Sequence, residues 1–234
     1  MKKKASHVGI ILSFVVFITF VVFLFSILSP SIQTNQDKQF VMDYLKQELQ
    51  KQFSGELEKT TISIDPDNLD NKDCITLIGF MKNFLEEDLV VKVEEERVDH
   101  SMAGNQLSFE RGNFERIAEI YYSEELNSET GSPSVPCDPI QEEDYNIKLV
   151  KDSNPIFYSK IETATNNFED FKASLEIPPQ FDFSFELESS EGEIIFEVEN
   201  KIPQGVDVFS EQIPIQYLDE NAELMSGFIN IKVW

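Results

Sequence analysis

The sequence predicts an α+β protein: an N-terminal transmembrane helix continuing into an amphipathic helix, then a mainly antiparallel, sandwich-like β domain with a short helix near residues 167–175. Three observations predict it. No ionisable side chain occurs from Val8 to Leu28. Apolar residues then recur at helical spacing over 37–54, and beyond Gly55 the period falls to two. The units read as a basic head (1–7), the apolar helix (8–28), the amphipathic helix (37–54), a first β region (55–126), a loop (127–139) and a second β region (140–234).

Each element has its own reason. At about 1.5 Å per residue the run Val8 to Leu28 reaches roughly 30 Å, the thickness of a bilayer's hydrocarbon. Its interruptions, Gly9, Ser13, Thr19 and Ser26, are all small. A cleaved signal is the rival reading, but its apolar stretch is normally about 7–15 residues and ends in a small-x-small site, which Ser26-Ile27-Leu28-Ser29 does not supply. Lys2, Lys3 and Lys4 precede the run and the next basic residue is Lys38, so the positive-inside rule places the N-terminus in the cytoplasm and the bulk of the chain outside. The expected location is the cell membrane, crossed once, with the lipid bilayer as partner of Val8 to Leu28. Pro30 lacks an N–H and is expected to kink or end the helix.

In the amphipathic helix, Phe40, Val41, Tyr44, Leu45, Leu49 and Phe53 form one stripe, and Gly55 stops it. Strands follow at Leu57 to Ile64 and Cys74 to Phe80. "LVVKVEEERV" (Leu89 to Val98) and Gln106 to Glu110 read as two arms of a hairpin around "DHSMAGN", with His100 in its turn. Glu115 to Tyr122 and Tyr145 to Lys151 read as further strands, and Ile156 to Glu162 as a strand or the start of a helix. "NFEDFKASL" reads as a short helix capped by Asn166 or Asn167, with Phe168, Phe171 and Leu175 inward. "FDFSFEL" and "IIFEVEN" alternate cleanly and predict a hairpin with Phe181, Phe183, Phe185, Leu187, Ile194, Phe196 and Val198 on the buried face. Val206 to Phe209, Ile213 to Tyr217 and Phe228 to Trp234 continue the series. Pro203 and Pro214 mark edges or bulges, and Trp234 is expected to be tied into the sheet.

Composition narrows the function. The formal net charge is −24; with Lys2 to Lys4 set aside the remainder carries −27. Nucleic acid and anionic lipid surfaces both call for basic patches, so neither is expected as a partner of the outer domain. The two cysteines, Cys74 and Cys137, are expected to form a disulfide, the alternative being two unrelated buried thiols. With one histidine, His100, beyond the apolar run, they make no four-ligand zinc set, and no metal or cofactor is expected. "DPDNLDNKD" (Asp65 to Asp73) would need Gly and Glu where Asp70 and Thr76 stand to be a calcium loop, and reads as a solvated acidic turn. No nucleophile elbow or phosphate-cradling glycine loop occurs, and no carboxylate pair stands out.

The basic head "KKKA", the apolar helix, Pro30, the amphipathic continuation and the β domain together resemble the layout of type IV pilin-like proteins. The chain is similar to uncharacterised archaeal envelope proteins with this "ASHVGIILSFVVF" kind of head. The resemblance implies removal of the basic head, here between Lys4-Ala5 and Ser6, so that Ala5 and Ser6 flank the processing site. It also implies packing of apolar helices into a filament core with other pilin-like subunits. The family's glutamate five residues into the mature chain is replaced here by Ile10, counting from Ser6.

The expected function is accordingly that of a single-pass, membrane-anchored envelope protein with an acidic outward β domain. Its role would be structural or adhesive, as a minor pilin-like subunit, and not enzymatic. The alternative is an anchored binding module or an accessory subunit of a membrane complex. A tethered hydrolase is the third reading.

Overall fold

The computed structural model describes residues 7–65, 72–80, 88–111, 116–126, 131–198 and 200–234, with the backbone alone for 7, 8, 10 and 26–36. The acidic turn read at Asp65 to Asp73 falls mostly outside them, as do Ala5 and Ser6.

A single helix, α1 (His7–Phe53), runs for 47 residues, about 70 Å. Its backbone continues through Pro30, where a kink or stop was expected. Its C-terminal part is clamped into the head by Val41, Met42, Leu45, Leu49 and Phe53, all at most 2% exposed. Steps of four residues keep Val41, Leu45, Leu49 and Phe53 on one side. Phe40, read from sequence as part of this stripe, lies a turn of about 100° away from Val41 and is 74% exposed. Tyr44 donates to the carbonyl of Leu175 (2.7 Å), and Lys46 pairs with Glu211 (2.7 Å), so polar contacts fix the same face. The helix ends at Phe53, and two residues on Gly55 stands where no side chain fits. A Cβ there would stand 2.9 Å from Glu125 Cγ and 3.1 Å from the Phe157 ring.

Two β units follow. The first is a sandwich. One sheet has the order β4-β3-β7-β1-β9, from β1 (Leu57–Ile64), β3 (Leu89–Val93), β4 (Glu96–Val98), β7 (Ile117–Tyr122) and β9 (Tyr145–Ser153). The facing sheet has the order β5-β6-β2-β8, from β2 (Cys74–Ile78), β5 (His100–Ala103), β6 (Gln106–Glu110) and β8 (Asp138–Ile140). Ile62, Val91 and Ile120 of one meet Ile75, Leu77 and Phe109 of the other in an apolar core. Alternation along each strand gives both sheets an apolar face for this contact.

The second unit is a five-stranded sheet, β10-β13-β14-β11-β12, from β10 (Ile156–Phe157), β11 (Phe183–Ser189), β12 (Ile194–Glu197), β13 (Phe209–Leu218) and β14 (Leu224–Val233). One face packs against α1, α2 (Tyr158–Asn166) and α3 (Phe168–Ser174). Nearly all strand pairing is antiparallel; β2–β8 and β10–β13 are parallel. Because β9 pairs with β1, the break between units falls at Asn154-Pro155 rather than at 127–139.

Three local expectations are corrected. The segment 89–110 holds two hairpins in different sheets, not one: β3–β4 and β5–β6. His100 begins β5 and is fully buried. The first hairpin turns at Glu94-Glu95, both at positive φ (51° and 72°), a turn that favours Asn-Gly. The paired substitution Glu94→Asn with Glu95→Gly is therefore expected to stabilise the protein by about 1–2 kcal/mol. A urea midpoint that stays put or falls would count against this. Asn167 does occupy the N-cap of α3, but its side chain donates back to the Thr163 carbonyl instead of accepting from the helix. Finally, the register of β11 with β12 shifts between Leu187 and Glu188. The shift breaks the simple alternation, and Ile194, read as inward, is 58% exposed.

The spanning-helix expectation is corrected too. Among the described residues no helix is long and apolar enough to cross a membrane. The expected transmembrane helix over 8–28, the single-pass cell-membrane location and the cytoplasmic N-terminus are therefore not supported.

Candidate functional site

Two regions stand out. The first is the exposed part of α1. Thirteen large apolar side chains between Ile11 and Phe25 are 40–71% exposed, Phe14, Phe17, Phe20 and Phe23 among them. They surround the helix, since at 100° per residue fifteen consecutive positions occupy every direction. Thr19 donates its hydroxyl to the carbonyls of Val15 and Val16 (2.9 Å each), so the one polar side chain near the middle is satisfied within the helix. A helix apolar on all sides is normally buried. Nothing in this chain covers this one among the described residues.

The second is the seam between the two β units. Strand β3 reads "LVVKV" and all five residues are buried, because its inner face fills the sandwich and its outer face meets the turn after β13. Val90, Leu57, Leu126, Phe157, Leu218 and Ala222 form the apolar part of this seam. Lys92 is its polar part. Only 6% exposed, it donates to the Ala222 carbonyl (2.9 Å) and lies 5.5 Å from the Tyr121 ring centre. Lys59 sits over the same ring at 5.1 Å and pairs with Glu119 at 2.7 Å, while the Tyr121 hydroxyl donates to Glu119 (2.7 Å). Arg97 donates to Asn221 across the seam. An open cleft of about 740 Å³ lies beside these groups, rimmed also by Arg116 and Glu223.

The titrations follow from this geometry. Burial lowers the Lys92 ammonium below its ordinary value, and Glu223, Asp219 and Glu119 only partly oppose that. For Lys59 burial works in the same direction, but its bonds to Glu119 and Tyr121 outweigh it and the net shift is upward. Burial works against the Glu119 carboxylate, yet Lys59 and Tyr121 hold it below its usual value. Burial raises the Tyr121 phenol.

Because Lys92 has a lower pKa folded than unfolded, the unfolded chain binds more protons between the two values. The Lys92 contribution to stability therefore rises with pH through that window, up to about pH 10.4. Relative to Lys92→Met, the natural protein should gain stability in urea unfolding between pH 7 and pH 10. A constant difference would refute the assignment. The arrangement reads as a clamp between units: Lys92, Lys59 and Arg97 each already have a partner inside the seam.

A larger cleft, about 840 Å³, opens where α1 ends, among Glu56, Glu58, Glu124, Glu125 and Asp152. Glu125 is paired with Lys160 at 2.9 Å, and Glu56, Glu124 and Asp152 are exposed. Among the described residues no three His, Cys, Asp or Glu side chains converge as metal ligands.

Cys74 and Cys137 are joined by a disulfide, with their Cα atoms 4.4 Å apart. The bridge ties the start of β2 to the residue before β8. Sequence reasoning did not single out Lys92, Lys59 or Tyr121. The available signal was a lone lysine within a five-residue apolar strand. Comparison of the chain with known protein families, with characterised proteins and with solved structures finds no match in any of the three.

Proposed function

We propose that this chain is a structural or adhesive assembly subunit, pilin-like in plan and not an enzyme. The apolar part of α1 packs against the same segment of neighbouring copies, and the acidic β head is displayed at the end of the rod. The observation that carries this reading is the all-round apolar exposure of residues 11–25 on a helix whose other end is firmly clamped in the head. Burying even half of those side chains would favour association by on the order of 10 kcal/mol before its entropic cost. The charge distribution agrees: the −27 beyond the basic head keeps the heads soluble and apart, while the helix between Lys4 and Asp37 carries no full charge to oppose bundling.

The test is sedimentation of the full chain without detergent. The natural chain should form large assemblies, and Phe17→Asp with Val21→Asp should yield single copies whose heads unfold at the unchanged urea midpoint. A natural chain that stays a single copy would overturn the reading. So would a chain that assembles only weakly but binds lipid vesicles one copy at a time.

A further inference from the structure

Sheet edges invite pairing, and natural proteins blunt them. Of the six bordering strands, β4, β5, β8, β10 and β12 are two to four residues long, and β8 also carries Pro139. The stretch of β13 that β10 leaves unpaired carries Pro214. Strand β9 is the long one, although its ladder carries a register shift at Lys148, between the pairs Leu149–Thr61 and Ile147–Ile62. It is nine residues long, and its ladder is with β1 alone among the described residues. All seven residues 146–152 are exposed, with Ile147, Leu149 and Val150 at 51%, 52% and 48%. Neither Lys148 nor Lys151 joins an ion pair among the described residues. In a chain this acidic, β9 is an open edge with an apolar centre and two available cations.

The complement exists in the same chain. Strand β12 borders the other sheet and presents Ile194, turned outward by the register shift, between the exposed Glu193 and Glu197. Glu197 also stands directly opposite Glu186 across the β11–β12 ladder. The Glu186 carboxylate is taken up by Lys232 (3.0 Å), so among the described residues Glu197 faces a like charge without a cation of its own. Like charges in opposed positions are unfavourable, and an incoming lysine relieves them.

We propose that β9 of one copy pairs edge to edge with β12 of a second copy. The sandwich sheet of one head then runs on into the helix-backed sheet of the next. Backbone hydrogen bonds supply the pairing, Leu149 meets Ile194, and Lys148 and Lys151 meet Glu193 and Glu197. Self-pairing of β9 is the poorer arrangement, since it gathers four lysines and leaves Glu197 uncompensated. The two edges are different surfaces, so the contact is heterologous and builds a ring or an open filament. The inference rests on the reading of an assembling chain: bundled helices raise the local concentration of heads enough for a short strand contact to form between acidic bodies.

The test uses full chains carrying Leu149→Cys or Ile194→Cys, treated with a short thiol-specific bifunctional reagent. The native cysteines are already bridged. A mixture of the two variants should give about tenfold more cross-linked dimer than either variant alone. Adding Lys148→Glu and Lys151→Glu to the first variant should reduce that yield about tenfold, with the urea midpoint confirming an intact fold. Efficient cross-linking of the Leu149→Cys variant to itself would overturn the proposal in favour of β9–β9 pairing. Parallel cross-linking of Phe17→Cys reads the helix contact separately. If it succeeds while the mixture fails, the edge pairing is wrong and the bundle stands. If the mixture succeeds while Phe17→Cys fails, the edge pairing holds and the helix reading falls. Failure of both removes both.

Discussion

Phe53→Ala is expected to destabilise the head by about 3–5 kcal/mol, the usual cost of emptying a fully buried aromatic site. Phe53 is 0% exposed and occupies the last turn of α1. Its ring stacks on Phe171 (centroids 5.7 Å apart, planes 17° apart) and meets Phe185 at 5.5 Å. It therefore joins the rod, α3 and the sheet at one point. The gap would not close easily, because Gly55 already brings Phe157 and Lys160 close to the turn that follows. Urea unfolding measures the effect, with Phe40→Ala as control. Phe40 is 74% exposed and its truncation should change stability by no more than about 0.5 kcal/mol. Equal effects from the two variants would mean that the clamp is misassigned.

Removing the disulfide should cost about as much. With a sequence separation of 63 from Cys74 to Cys137, the chain-entropy argument assigns the bridge about 4 kcal/mol. Its local role is plain from the strands it joins. Strand β8 has three residues, one of them Pro139, and among the described residues pairs only with β2, in parallel. Such a ladder is too short to hold a long loop against solvent on its own. Cys74→Ala with Cys137→Ala should lower the urea midpoint and speed hydrogen exchange at β2 and β8, while the exchange of β11 and β14 in the other unit changes little. Identical peptide maps with and without reductant would remove the bridge and the prediction with it.

Much of the strand pattern was legible because alternation depends only on nearest neighbours. Leu57 to Ile64 and Gln106 to Glu110 are strands with the expected limits. The Phe183, Phe185, Leu187 face is buried as the period-two rule requires. Trp234 is tied in by mutual backbone bonds with Asp182 (2.9 and 3.0 Å). What escaped were features set by partners distant in sequence. The orientation of Ile194 depends on a register shift against β11, and the burial of His100 on a sheet that 89–110 leaves halfway along. Lys92 is buried because residues 130 positions later cover it.

The apolar stretch near the N-terminus shows the same division. Local composition was enough to establish an apolar helix, an amphipathic continuation and a strongly acidic β-rich remainder, because hydrophobic periodicity and charge are properties of short windows. Composition could not say where that helix ends, what its apolar surface meets, or which sheet edges stay open. Those outcomes rest on long-range packing: the far end of α1 is gripped by the sheet and by α3. Strand β9 is left bare because the chain crosses to the second unit straight after it.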